Sequence, residues 1–157
     1  MHTSCILTSP LGLLKLTADA KALTEITFYS GPADLPSAEQ TQHAILCLAA
    51  VQLSEYFTGT RRYFEIPLAP VGTDFQQRVW QALLTIPYGT TASYQDIAVQ
   101  IGQPLACRAV GGANNKNPLP IVIPCHRVIG KSGTLIGYAG GLAVKKFLLN
   151  LESPKPQ

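Results

Sequence analysis

Charge is scarce in this chain: 13% of its 157 residues are Asp, Glu, Lys or Arg, while 46% are hydrophobic. That balance is the reverse of a disordered composition, so a folded core is expected, as one domain or as two small lobes. No apolar run approaches the ~20 residues that a bilayer span needs, and Met1 to Cys5 lack the basic and then apolar segments of a signal peptide. The expectation is an intracellular, cytoplasmic protein with no membrane role. Cys5, Cys47, Cys107 and Cys125 form no CxxC pair and no secreted framework, which predicts free thiols in a reducing compartment. His2, His43 and His126 give no zinc-ligand spacing beyond the loose pair His43 and Cys47, so no metal is expected. Gly111-Gly112 and Gly140-Gly141 lack the spacing and the strand-to-helix context of phosphate-binding loops, and no cofactor is expected either.

What charge there is falls unevenly. Residues 1–74 hold four Lys/Arg and seven Asp/Glu, and residues 75–157 hold eight and two, for net charges of −3 and +6. A basic second half points to a polyanionic partner, with a merely solvated face as the alternative. Three β-leaning runs, Cys5 to Thr8, Leu13 to Thr17 and Leu23 to Tyr29, predict a small antiparallel sheet. Leu46, Ala49, Ala50, Leu53, Tyr56 and Phe57 then recur at helical spacing until Gly59, and a lobe boundary is placed near residue 70. Beyond it, Thr73 to Gln76 reads as a capping box opening a helix with Phe75, Val79, Leu83 and Ile86 on one stripe, stopped by Pro87-Tyr88-Gly89. Ser93 caps a helix through Ile101, Gly102 closes it, and Pro104 opens another through Arg108 to about Ala113. Two helices so tightly joined suggest helix-turn-helix, or ordinary packing. A last helix runs from Leu142 to Leu151, and 153–157 reads as a tail.

The least ordinary stretch is Asn117-Pro118-Leu119-Pro120-Ile121-Val122-Ile123-Pro124-Cys125-His126-Arg127-Val128. It reads as an apolar strand delivering a cysteine, either as a core thiol or as a nucleophile. His126 and Arg127 supply positive potential that favours thiolate, which makes Cys125 the best nucleophile of the four. Adjacent strand residues point to opposite faces, so His126 reaches Cys125 only if the strand ends at Pro124, or through a water. A histidine base needs an orienting carboxylate, and from Phe75 onward only Asp96 and Glu152 are available. Asp96 is explained by the Ser93-x-x-Asp96 helix start, which leaves Glu152.

At Pro124 to Val128 the sequence resembles the O6-alkylguanine-DNA alkyltransferase family, whose signature is Pro-Cys-His-Arg-Val after an apolar strand. The likeness continues through Gln52 to Phe57, Thr73, Phe75-Gln76, Val79-Trp80, Ile86-Pro87-Tyr88-Gly89 and Ser93-Tyr94. It extends on to Arg108-Ala109-Val110-Gly111, Asn117-Pro118, Tyr138, Leu148-Leu149 and Glu152. The resemblance implies an α+β, ribonuclease-H-like amino-terminal lobe over 1–70 and a helical lobe over 71–152 carrying helix-turn-helix and active site. The implied reaction is a single, irreversible transfer of an alkyl group from guanine O6 in double-stranded DNA to Cys125. Carried over residue by residue, His126 oriented by Glu152 activates Cys125 through a water, Tyr94 donates a proton to the leaving base, and Asn117 ties the cysteine turn to the helix-turn-helix. Arg108 is the finger that fills the vacated stack. Ser93, Ala109, Gly111 and Arg127 fall at the DNA, and Val128, Tyr138, Ala139 and Gly140 around the base. The small residues near Arg108 suit a helix in the minor groove or close helix packing, and half of the eight cations on phosphate would give a salt slope of roughly −4.

Two departures bear on this. Ala139 stands where several members have serine; alanine also occurs, notably in a constitutive bacterial form that resembles the chain closely there, and it implies tolerance of bulkier O6-alkyl groups and of O4-alkylthymine. Asp19 and Thr24 occupy the positions of the Cys and His of an amino-terminal zinc site. Two rivals remain: a thiol hydrolase built on Cys125, His126 and Glu152, and a lesion-flipping DNA-binding protein without transfer. A monomer is adequate for a single-lesion reaction.

Overall fold

The computed structural model describes every residue except Ala33, Ser132, 134–137, Ala139 and 155–157. The chain divides into two compact units, Met1–Val71 and Gly72–Gln157. Among the described residues no helix is long and apolar enough to cross a membrane.

The first unit is built on strands β1 (Thr3–Ser9), β2 (Gly12–Ala18) and β3 (Leu23–Phe28), antiparallel in that spatial order. Alternation puts Cys5, Leu14 and Leu16 wholly inside while Lys15 faces outward. The β1–β2 turn closes on Gly12 at φ +96°, with Ser9 Oγ donating to the Gly12 carbonyl at 2.7 Å. Helix α1 (Ala44–Phe57) buries Leu46, Ala49, Leu53 and Tyr56 against the sheet. Each such side chain contributes about 1.5–3 kcal/mol.

In the second unit Thr73 caps α2 (Asp74–Leu83) through a full capping box with Gln76. The helix stops at Leu83, so Ile86 lies beyond it, buried but not helical. Trp80 is 2% exposed, and its indole N–H donates to the Ala113 carbonyl at 2.9 Å, pinning α2 to α4 (Cys107–Asn115). Ser93 and Asp96 form a second capping box at the head of α3 (Tyr94–Gln100). Contrary to expectation, the chain between α3 and α4 does not start a helix at Pro104. The Ala106 N–H bonds the Gln103 carbonyl and Gln95 Nε2 bonds the Pro104 carbonyl, which holds 103–106 as a turn and delays α4 to Cys107.

The apolar run before Cys125 is not the expected strand. Pro118, Pro120 and Pro124 have no N–H for a ladder, and Ile121 takes a left-handed φ of +77°, which turns the chain. Asn117 closes the loop: its Nδ2 donates to the Ile123 carbonyl at 2.7 Å and its Oδ1 accepts from the Leu119 N–H at 2.9 Å. Cys125–Arg127 then forms one 3₁₀ turn, followed by β5 (Val128–Ile129), which pairs in parallel with β4 (Ala92–Ser93). That pairing ties the cap of α3 to the exit of the cysteine turn. The final helix, α5, spans Leu142–Glu152.

Candidate active site

The 3₁₀ turn explains how neighbours in sequence can serve one site, since it removes the strand alternation that would set Cys125 and His126 on opposite faces. Cys125 is 2% exposed and His126 is wholly buried. His126 Nε2 lies 2.7 Å from Glu152 Oε2, and its Nδ1 is buried with no hydrogen-bond partner among the described residues. Glu152 is 2% exposed and also takes Arg127 in a bidentate pair, with Nε to Oε1 at 2.8 Å and Nη2 to Oε2 at 2.9 Å. Arg127 Nη1 donates to the Ile86 carbonyl at 2.7 Å, and the guanidinium lies 5.7 Å from the centre of the Tyr88 ring. Gly89 completes this bed at φ +79°: a Cβ there would come to 3.0 Å from the Glu152 carbonyl oxygen.

This geometry corrects two expectations. Arg127, expected at the DNA, is only 7% exposed, and its fork is spent on Glu152 and Ile86. Nor do His126 and Arg127 lower the Cys125 thiol, because both are committed to one carboxylate and the sulfur is withdrawn from water. Burial pushes the thiol up to about 11, against smaller opposing pulls from Asn117, Tyr138 and Lys145. The Tyr138 hydroxyl approaches the sulfur without completing a hydrogen bond. Burial lowers the pKa of His126, partly opposed by Glu152, so the imidazole is neutral at pH 7. Glu152 is held down at about 2: burial alone would raise it, and the His126 and Arg127 hydrogen bonds outweigh that.

Tyr94 is half-buried beside Gly111, whose added Cβ would stand 3.8 Å from its ring. Burial first, and the charge of a Cys125 thiolate second, raise the Tyr94 hydroxyl and keep it protonated. Ser93 Oγ is occupied as the cap acceptor of Asp96 N–H at 3.0 Å. Arg108, Ala109 and Gly112 are exposed along one face of α4, and Gly111 is half-exposed. Val128 is fully buried, Tyr138 is 8% exposed and Gly140 is half-exposed. Ala139 lies outside the described residues.

Sequence reasoning missed two polar residues of this site. Lys145 is wholly buried, donates to the Val128 carbonyl at 2.6 Å, and its charge is felt at Cys125. Asn114 is 1% exposed and donates to the Cys125 carbonyl at 3.3 Å. A signal existed for the lysine: Lys145, Leu148 and Glu152 share one face of α5 at i, i+3 and i+7. Burial also reduces the surface charge. Of the described cations beyond residue 74, Arg78, Arg108, Lys116, Lys131 and Lys146 are exposed, whereas Arg127 and Lys145 are not.

Comparison with known proteins bears on the same residues. Residues 74–154 match the family model described as 6-O-methylguanine DNA methyltransferase, DNA binding domain, and residues 4–70 match its ribonuclease-like domain. The methylated-DNA–protein-cysteine methyltransferase of Methanosarcina barkeri is 50% identical over 94% of this chain and 94% of its own length. The constitutive enzyme of Bacillus subtilis is 46% identical over 92% and 91%. Among solved structures, Mycobacterium tuberculosis OGT in complex with DNA has a TM-score of 0.85 at 45% identity, covering 98% of this chain and 96% of that one.

Proposed function

The chain belongs to the 6-O-methylguanine DNA methyltransferase family, and on that premise we propose that it repairs DNA by direct reversal, moving an alkyl group from O6-alkylguanine in duplex DNA onto Cys125 once per molecule. The observation that carries the assignment of residues is the buried chain Glu152–His126 beside Cys125, with His126 Nδ1 left open. Neutral His126 removes the Cys125 proton through a water, held in its tautomer by Glu152. The thiolate attacks the alkyl carbon in line: the S–C bond forms as the C–O6 bond breaks, and the electron pair passes into the guanine ring. Tyr94, kept protonated, gives that ring its proton and is restored by the proton that His126 took from Cys125, so an unmodified guanine still in the duplex and a thioether on Cys125 result. The product needs no water at the carbon, which separates this reading from a thiol hydrolase.

The flipped base requires a helix laid close to the duplex. The exposed face of α4 carries Arg108, Ala109 and Gly112, and a Cβ added at Gly112 would meet nothing within 4 Å. A low face with one long cation suits minor-groove entry, where Arg108 takes the place of the extruded base. Val128, Tyr138 and Gly140 border the base, with O4-alkylthymine as a second substrate, in a protein acting as a cytoplasmic monomer without metal or cofactor.

Intact-protein mass spectrometry after equimolar mixing with an O6-methylguanine duplex tests the central statement. One added methyl on the peptide holding Cys125, absent in Cys125→Ser, is the expected result. No gain with the duplex still bound would instead describe a lesion-binding protein.

A further inference from the structure

Apart from Met1, Leu105 is the most exposed large apolar side chain among the described residues, with 99% of its surface in solvent. A single exposed leucine on an ordinary surface needs no explanation, but this one is presented by a built turn. Gln103 to Ala106 form a β-turn closed by the Ala106 N–H on the Gln103 carbonyl at 2.9 Å, with Pro104 at its first central position and Leu105 at the second. The Gln103 N–H donates to the Ala98 carbonyl at 2.9 Å and fixes the entry. Gln95 clamps the turn from α3: its Nε2 donates to the Pro104 carbonyl at 3.1 Å, and its Oε1 accepts from the Cys107 thiol at 2.8 Å. The fold thus holds the backbone of Leu105 in place and leaves its side chain uncovered.

That place is the head of the exposed face of α4. Leu105 precedes Arg108 by three residues and Ala109 by four, and Gly112 and Lys116, both exposed, continue the line. No Asp or Glu occurs from Ile97 to Leu151, so this stretch complements a polyanion. With Arg108 in the gap left by an extruded base, residues three apart stand roughly 5–6 Å from one another, against about 3.4 Å for successive nucleotides of a strand. Leu105 therefore reaches the wall of the groove within roughly two nucleotides of the lesion.

Phosphates and base edges are polar, and what a minor groove offers an apolar side chain is the C–H face of its sugars. We propose that Leu105 is a specificity-determining residue that packs on a deoxyribose flanking the lesion and selects DNA over RNA at that nucleotide, an inference that rests on the minor-groove docking of α4. A ribose at that position turns its 2′-hydroxyl into the minor groove and against the leucine. The hydroxyl then loses its water and gains no partner, which penalises binding.

The test reads affinity by fluorescence anisotropy for O6-methylguanine duplexes in which the two nucleotides on either side of the lesion, in each strand, are replaced one at a time by ribonucleotides. The all-deoxy duplex is the reference, and Cys125→Ser is the common background so that no lesion is consumed. With Leu105 intact, one or two of these replacements are expected to weaken binding by about fivefold to tenfold. Leu105→Ser gives the hydroxyl a partner and is expected to bring that ratio within about twofold of one, while Leu105→Met, which keeps an apolar face, preserves it. Leu105→Ser should also bind the all-deoxy duplex about tenfold less tightly, with urea unfolding unchanged because the side chain is exposed. Because the ratio is taken within one protein, a general loss of affinity cancels. No ribonucleotide penalty with Leu105 intact, or a penalty of equal size in Leu105→Ser, overturns the proposal while repair of DNA stands. The expected discrimination beside an absence of methyl transfer to the protein with Cys125 intact would support the proposal and overturn the alkyl-transfer reading. Failure to bind any duplex overturns both.

Discussion

Glu152 holds His126 by Nε2 at 2.7 Å with both side chains out of water, so Nδ1 is the one ring nitrogen available to take a proton. Burial keeps that ring neutral, and burial also keeps the Cys125 thiol at about 11. The alkyl-transfer rate constant at saturating DNA is therefore expected to be flat from pH 7 to 8.5. It should fall on acidification with a midpoint below 6.5, the ordinary histidine value, as His126 gains a proton. A rise of about tenfold per pH unit through that upper range would mean that the thiol ionises to solvent without His126.

The same contact sets the response of the fold to acid. Glu152 has its pKa held near 2 against an ordinary 4.5, so its contribution to stability is present above 4.5 and is lost as pH falls toward 2. His126 adds an earlier loss that begins near 6.5, because the unfolded chain takes up that proton first. Glu152→Gln leaves the Arg127 charge buried without its partner and is expected to cost about 3–5 kcal/mol at pH 7. It should also flatten the dependence between pH 4.5 and 2, as read by urea unfolding at stepped pH.

Arg108 and Arg127 do not share the one role that their charge alone suggests. Arg108→Ala, on an exposed position, is expected to leave stability within about 0.5 kcal/mol while reducing the slope of log K against log salt for DNA binding by about one. Arg127→Ala strips Glu152 of its bidentate partner and is expected to cost about 3 kcal/mol or more, with the slope unchanged in the molecules that remain folded. Fluorescence anisotropy across a salt series, beside urea melts, separates the two.

The sheet, the helices and both capping boxes were legible because their signals are local: alternation in 14–16, and the Thr73–Gln76 and Ser93–Asp96 spacings. Cys125, His126 and Glu152 were legible as candidates by residue type and scarcity. The loop from 117 to 124 was not, since its β-branched apolar run has the composition of a strand. What decides it is the lack of N–H groups at three prolines and a side chain, Asn117, doing the work of a backbone. The Ile86 to Gly89 segment read as a helix stop, and only the fold reveals it as the bed of Arg127 and Glu152. Lys145 and Asn114 escaped notice because polar residues are assigned to the surface unless their place on a buried stripe is weighed.

Asn117 makes the next expectation sharp. Asn117→Ala leaves the Ile123 carbonyl and the Leu119 N–H buried and unmet, at about 1–3 kcal/mol for each group. Asn117→Asp retains the acceptor for Leu119 but buries a carboxylate whose second oxygen faces the Ile123 carbonyl, so at pH 7 it should be no better tolerated than Asn117→Ala. Urea unfolding should rank the native protein above both variants. Transfer to Cys125 should fall in both, because this loop delivers the cysteine turn.

Gly112 separates the needs of the fold from those of DNA docking. It lies inside α4, is exposed, and has a backbone that side chains adopt freely, with open space where its Cβ would be. Glycine in a helix interior is less favourable than leucine by roughly 0.5–1 kcal/mol, so Gly112→Leu should raise stability by that amount. If the face of α4 with Ala109 and Gly112 presses into a groove, the added side chain holds the helix off the duplex, and affinity should fall by about tenfold or more. Its reactivity toward a free-base substrate, which needs no duplex, should be unchanged because Cys125, His126 and Glu152 are untouched. A variant that is more stable and still binds duplex DNA as tightly would place the DNA on another surface.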